Sequence, residues 1–344
     1  MQKKVLATAI AAAMCAPVVA EAVTVKFSGH VNRAIRFADD GVRSDVQHID
    51  HGGSRTRLRW AGSQSIGGGN KAGAYTEIAV SPNVSGGAIK AAAGGNNFGI
   101  RHASVNFSGS WGRIDAGLTP NANAGTYTDM TGTSAYDPAG SNLILSTPFQ
   151  ATGGGGPIAI QTNNVFQSFT YGRDHLIKYT SPKIGPVQVA VDMDQNEQWA
   201  AQARLNTSFG GSKVSAKIGY RDEENQSGFD QWNISGGIKF SQGTSVSLSY
   251  SNRDFTAGGG LDSEYVYAKI GHSWGPNTVA LGWYNSEDMA AAGDEGTEWS
   301  VTFLHKIPKS RVHLYASYSN FDYDNPAAAT EDVDMFLIGS RIFF

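Results

Sequence analysis

The chain has 344 residues, a formal net charge of −3 at pH 7 and 17% charged residues, fewer than the roughly 25% usual in soluble domains. This charge balance excludes a strongly basic nucleic-acid binder, and the 16 Phe, 13 Tyr and 7 Trp spread along the chain exclude disorder. Beyond the N-terminal segment, no apolar run reaches the roughly 18 residues that a membrane-spanning helix needs.

The N-terminal segment predicts an export signal. Lys3 and Lys4 precede an apolar stretch over 5–19, and Ala20-Glu21-Ala22 fits the small-x-small cleavage pattern. We therefore predict a signal peptide over residues 1–22 and a mature chain over residues 23–344. The single cysteine lies inside the signal peptide, so the mature chain is predicted to hold no disulfide, cysteine nucleophile or cysteine–metal site.

From Val23 onward, apolar and polar residues alternate with a period of two, which predicts strands rather than helices. For example, Val246, Leu248 and Tyr250 alternate with serines. The pattern predicts sixteen strands, at about 23–38, 53–65, 70–80, 98–109, 112–119, 174–182, 184–194, 198–209, 212–222, 229–241, 244–254, 262–273, 277–286, 296–306, 310–320 and 332–344.

The connections between these strands indicate how they are arranged. Every second connection is very short, most of the others are longer, and the longest covers about residues 120–173. Short turns on one side, longer loops on the other and an even strand count predict an all-β, transmembrane antiparallel β-barrel. In lipid every backbone group must be paired, so the sheet must close on itself.

Aromatic residues at the strand ends predict two membrane interfaces. Those next to the short turns are Trp111, Phe209, Phe240 and Trp274, and those near the longer loops are Trp199, Trp232, Tyr284 and Trp299. The face opposite the apolar one carries charged residues on every strand. Sixteen strands can enclose a water-filled interior for these charges.

Several stretches resemble the general porins of Gram-negative bacteria. They are Ser54-Arg55 through Trp60-Ala61-Gly62 to Gly67-Gly68-Gly69, Arg101-His102-Ala103-Ser104-Val105 to Trp111-Gly112-Arg113, Ile177-Lys178-Tyr179-Thr180-Ser181-Pro182, and the terminal Gly339-Ser340-Arg341-Ile342-Phe343-Phe344. The resemblance covers residues 23–344. It implies an outer-membrane homotrimer of sixteen-stranded barrels, a third extracellular loop (about 120–173) folded into each lumen, and an assembly signal at the terminal Phe344.

No residue pattern predicts an enzyme. His48 and His51 flank Asp50, but no third metal ligand lies at a useful spacing, and a solvated loop is the favoured interpretation. We therefore predict no catalytic residue, no metal and no cofactor.

The predicted functional residues are charges that face the lumen. If the apolar face meets lipid, Arg55, Arg57 and Arg59 all point inward from the second strand. Other inward residues are Arg36, Lys71 and Arg113, and the long loop supplies the acids Asp129 and Asp137. These eight residues are predicted to line the pore or its constriction. Because most of the 27 Lys and Arg fall on the inner wall and few acids do, we predict a modest preference for anions.

The sequence thus predicts a channel for the passive diffusion of small hydrophilic solutes and ions across the outer membrane. Its predicted partners are those solutes, outer-membrane lipid and further copies of the chain, without nucleic acid. Two alternatives remain: a solute-specific porin with a low-affinity binding track, and a surface adhesin or receptor for which the barrel is an anchor.

Overall fold

A computed structural model describes residues 23–83, 88–90, 97–137, 146–169, 172–223, 228–256 and 260–344. The predicted signal peptide, residues 1–22, lies outside these ranges. The strands are β1 Thr24–Asp39, β2 Ser44–Asp50, β3 Arg57–Gly67, β4 Asn70–Ser81, β5 Asn97–Gly109, β6 Gly112–Pro120, β7 Pro148–Ala151, β8 Gly156–Gln161, β9 Arg173–Thr180, β10 Val187–Asp194, β11 Trp199–Phe209, β12 Ser212–Asp222, β13 Phe229–Lys239, β14 Thr244–Phe255, β15 Ser263–Trp274, β16 Asn277–Glu287, β17 Glu295–Lys306, β18 Val312–Asp324 and β19 Val333–Phe343. Two 3-10 turns, Gly52–Ser54 and Thr152–Gly154, and one short helix, α1 (Thr162–Val165), complete the elements. Within the described ranges, no helix has the length and apolar character to cross a membrane.

Antiparallel pairing closes the strands into a sixteen-stranded barrel, as predicted. Around the wall the order is β1, β3, β4, β5, β6, then β9 to β19 in sequence, and β19 pairs with β1 from His30↔Phe343 to Asp39↔Asp334. β2 pairs with the second half of β1, whereas β3 pairs with its first half. β2 and β3 therefore share one place in the wall, and β7 and β8 form a separate hairpin.

The barrel is apolar outside and polar inside. On β14, Val246 and Leu248 are 41% and 56% exposed on the outer face, whereas Ser247 and Ser249 are at most 2% exposed inside the barrel. The tryptophans of the predicted interfaces, together with Phe209, are exposed. The prediction for Tyr284 is wrong. Its side chain is buried inside, where its hydroxyl donates a hydrogen bond to the Gln167 carbonyl oxygen (2.7 Å), and Trp283 is exposed instead.

The described parts of the long segment between β6 and β9, residues 121–137 and 146–169, lie inside the barrel. Tyr136 packs on Tyr315 of β18 with ring centroids 4.9 Å apart, and Phe149 stacks on Tyr323 of the same strand at 4.8 Å. Phe166, just after α1, meets Phe321 at 5.0 Å. Among the described residues, the main buried cluster therefore lies between this segment and the inner face of one side of the wall, inside the lumen where the third loop was predicted to fold.

Candidate pore constriction

The first part of the loop is held to the wall by a buried ion triad. Lys269 on β15 places its Nζ 2.5 Å from Asp137 Oδ2 and 3.6 Å from Asp129 Oδ2. The three side chains are between 0% and 4% exposed. Burial alone would raise the pKa of Asp129, but Lys269 and hydrogen bonds from Thr131 and Ser134 outweigh burial and lower it. Both loop aspartates therefore turn towards the wall and away from the open lumen.

Hydrogen bonds continue this attachment from strand to strand. Lys217 Nζ on β12 donates to the Gly125 and Tyr127 carbonyl oxygens, both at 2.8 Å. Further bonds join Thr128 to Ser235 of β13 (2.7 Å), the Met130 amide to Ser247 of β14 (2.9 Å) and the Tyr136 hydroxyl to His313 of β18 (2.5 Å). The loop segment 125–137 thus follows the inner wall from β12 to β18.

Glycines on that wall leave room for the loop side chains. A Cβ atom at Gly237 would lie 2.5 Å from Met130 Cγ, and one at Gly271 would lie 2.7 Å from Thr131 Cγ2. Either contact is too short, so a larger residue would force the Met130 or Thr131 side chain to move. The position of the loop against the wall therefore depends on the wall sequence as well as on the loop sequence.

Across the barrel from β15, three arginines surround one glutamate. Glu77 of β4 accepts from Arg101 Nε of β5 at 2.7 Å and from Arg59 of β3, and its Oε1 lies 3.7 Å from Arg57 Nη1. Arg55, just before β3, lies near Arg101 and the buried Asp50. We call Arg55, Arg57, Arg59 and Arg101 the arginine cluster.

The arginine cluster carries an excess of positive charge on the side facing the lumen. Arg57, Arg59 and Arg101 are 17–25% exposed, whereas Glu77 is 3% exposed beneath them. Three guanidinium groups against one carboxylate leave a net charge of +2, and Arg55 is balanced at most by Asp50. The loop segment 125–137 is attached to the far wall, so that segment and the arginine cluster lie on opposite sides of the barrel interior.

A β-bulge explains why strict alternation missed Arg101. Register shifts between Glu77 and Ile78, so that Glu77 faces His102 and Ile78 faces Ile100. Two consecutive side chains, Arg101 and His102, therefore reach Glu77 on the inner face. The sequence carries a sign of this bulge, because the exposed apolar residues of β5 change parity from Phe98 and Ile100 to Val105.

The structure places the other predicted pore residues at different depths. Arg57 and Arg59 lie in β3 as predicted, but Arg55 precedes the strand, which begins later than position 53. Lys71 and Arg113 are exposed on inward positions, and Arg113 Nη2 donates to Asp115 Oδ1 at 2.6 Å. The prediction that Arg36 lines the pore is wrong, because its side chain is 0% exposed and its Nη2 is 3.2 Å from Asp45 Oδ1.

The prediction that Asp129 and Asp137 face the lumen at the constriction is also wrong. Lys269 is the physical reason, since a buried ammonium draws both carboxylates to the wall. The histidine segment differs as well: residues 48–50 belong to β2, and Asp50 and His51 are buried rather than solvated. In the part of the chain that the structure describes, no group of three metal-ligating side chains occurs.

Comparison with known proteins places this barrel in a family. Residues 7–326 match the family model for Gram-negative porins. No curated protein sequence matches the chain significantly. An anion-selective porin from Comamonas acidovorans is 17% identical, with 94% of this chain and 100% of that chain covered and a TM-score of 0.65. The trimer form of in-vitro folded OmpT from Vibrio cholerae is 14% identical, with 94% of this chain and 100% of that chain covered and a TM-score of 0.63. OmpF of Salmonella typhi in complex with daunomycin is 12% identical, with 93% of this chain and 97% of that chain covered and a TM-score of 0.59. At these identities the structures show a shared fold, whereas the family model spans nearly the whole chain. The chain therefore belongs to the Gram-negative porins, outer-membrane channels for the passive diffusion of small hydrophilic solutes and ions.

Proposed function

We propose that this channel conducts small anions in preference to cations, and that the arginine cluster is the element that selects them. The observation that carries the proposal is that three guanidinium groups, those of Arg57, Arg59 and Arg101, surround the single carboxylate of Glu77. The acids of the loop do not oppose this charge, since Lys269 binds Asp129 and Asp137 on the far wall. A structural neighbour from Comamonas acidovorans is described as anion-selective, which supports the same direction.

The expected preference is modest. A unit charge about 7 Å from a permeating ion in water contributes about 0.6 kcal/mol, and screening at about 0.1 M salt roughly halves this value. The net charge of +2 on these three arginines and Glu77 therefore favours an anion by about 0.6 kcal/mol and disfavours a cation by as much. Together these terms correspond to a permeability ratio of roughly 5–10, and the ratio falls as salt increases.

Reversal potential in a salt gradient across a planar bilayer tests the proposal. The wild type should favour chloride, and Arg55/Arg57/Arg59→Ser should reduce that preference. The matched control, Lys90/Lys183/Lys309→Ser, removes the same charge from exposed positions outside the strands and should change it little. A cation-selective wild type, or equal effects of the two triple variants, would refute the proposal.

We further propose that the channel assembles as a homotrimer, with residues 1–22 removed as a signal peptide and Phe344 acting as an assembly signal. The trimeric OmpT structure supports the oligomer by analogy. Chemical cross-linking of the detergent-extracted protein tests the trimer, and N-terminal sequencing of its mature form tests removal of residues 1–22.

A further inference from the structure

A polar cavity of about 670 Å³ opens into the lumen beside the arginine cluster. Tyr75 and His102 line its upper edge and also contact Glu77, with the Tyr75 hydroxyl 3.3 Å from Glu77 Oε2 and His102 Nε2 3.9 Å from Oε1. Its lower edge reaches Ser181 and Pro182, beside one of the short turns. The cavity therefore lies between the arginine cluster and the end of the barrel that carries the short turns.

Three cationic side chains from β6, β9 and β11 line this cavity: Arg113, Lys178 and Arg204. Arg113 is paired with Asp115, to which it donates hydrogen bonds of 2.6–3.0 Å. The other two are held by neutral oxygens. Lys178 Nζ donates to the Pro120 carbonyl (2.6 Å), and Arg204 Nε donates to the side-chain amide oxygen of Gln188 (3.0 Å).

Neutral acceptors orient these cations without cancelling their charge. Arg204 is exposed to the lumen, so its guanidinium can meet a solute directly. Lys178 pairs in register with Asp115 and Asp192. Asp192, however, accepts a hydrogen bond from the Ala122 amide and does not line the cavity. Asp115 also lines the cavity, and both Asp115 and Asp192 attract the Lys178 ammonium. Three cations and two carboxylates leave a net charge of +1, and the exposed Arg204 guanidinium is held by the neutral Gln188. The hydroxyl groups of Ser104, Thr119 and Thr180 lie beside these charges.

We propose that this cavity is a second anion-binding subsite, which takes small multivalent oxyanions after they leave the arginine cluster. A planar guanidinium, a point-charge ammonium and several hydroxyl donors match an oxyanion with two negative charges better than they match chloride. Two weak sites in series also allow an ion to enter favourably and still leave. The subsite rests on the proposed anion preference and deepens it by naming a class of solute.

Block of the chloride current by inorganic phosphate tests the subsite in the purified, bilayer-reconstituted channel. In the wild type, phosphate should lower the chloride conductance in a saturable manner. Arg204→Gln removes a charged donor, and we expect the phosphate concentration for half-block to rise at least about fivefold. Arg204→Lys keeps the charge and should fall between the two.

The matched control is Lys239→Gln, because Lys239 is a lumen-facing lysine whose Nζ binds Ser273 Oγ at 3.1 Å, outside the cavity. It should leave the half-block concentration within about twofold of wild type. Absence of saturable block, or equal effects of Arg204→Gln and Lys239→Gln, would overturn the subsite. The reversal potential of the same channels reports the arginine cluster separately, so an anion-selective channel without phosphate block refutes the subsite alone.

Discussion

Removal of the Lys269 ammonium should loosen the loop that narrows the pore. Lys269→Met preserves most of the side-chain volume but leaves the carboxylates of Asp129 and Asp137 buried without their cation. Breaking a buried ion pair by removing one partner costs about 3–5 kcal/mol. That cost shifts the balance between attached and detached loop by a factor on the order of 10²–10⁴.

Remaining hydrogen bonds, such as those from Lys217 to the Gly125 and Tyr127 carbonyl oxygens, should keep part of the population attached. We therefore expect single channels of Lys269→Met to switch between the native conductance and a larger one. Recordings in planar bilayers at neutral pH measure both the conductance levels and the time spent in each.

A charge-neutral variant separates the ion triad from simple side-chain loss. In Lys269→Met/Asp129→Asn/Asp137→Asn no buried charge lacks a partner, and the quiet, native conductance should largely return. A quiet Lys269→Met channel with wild-type conductance would show that the triad does not hold the loop, and the reasoning would fail.

Three further outcomes are expected. A deletion within about 130–160 should raise conductance and admit larger solutes, because the loop fills part of the lumen; unchanged conductance in folded channels would place the loop outside the conducting path. Deletion of Phe344, or Phe344→Lys, should leave protein that is exported but poorly inserted, as measured on heat-modifiability gels. The reason is that the Phe344 amide donates to the Gly29 carbonyl oxygen (3.2 Å) and the Gly29 amide donates to the Phe344 carbonyl oxygen (3.1 Å), where the barrel closes. Normal insertion would contradict an assembly role. The lowered pKa of Asp129 means that its contribution to loop attachment is complete above the unperturbed aspartate pKa of about 3.9 and is lost as pH falls through the lower value. Channel noise should therefore stay at its neutral level at pH 4 and rise only in more acidic solution, and a rise already at pH 5 would argue against this assignment.

The sequence by itself determined the barrel. Alternation such as that of Val246, Leu248 and Tyr250 with serines specifies which face meets lipid, because side chains on a strand point to opposite faces in turn. The sorting of short turns and longer loops then sets the strand count and direction. Both signals are local, and the pairing of β1 with β19 confirms the closed barrel that they predict.

The tertiary structure decided which charges face the pore. Alternation of apolar and polar residues was sufficient to predict that Arg57 and Arg59 point inward, because both lie in a regular strand. It failed for Arg101, because a bulge places two consecutive side chains on one face. It also failed for Arg36, whose inward position is covered and paired with Asp45.

The loop aspartates show the same limit most clearly. Asp129 and Asp137 are more than a hundred residues from Lys269 in the sequence, and only the path of the loop around the wall brings the three together. Strand spacing determines the direction in which a wall residue points, but it carries no information about what lies opposite in the lumen. The face of the pore that remains positively charged therefore follows from long-range contacts, which no local pattern encodes.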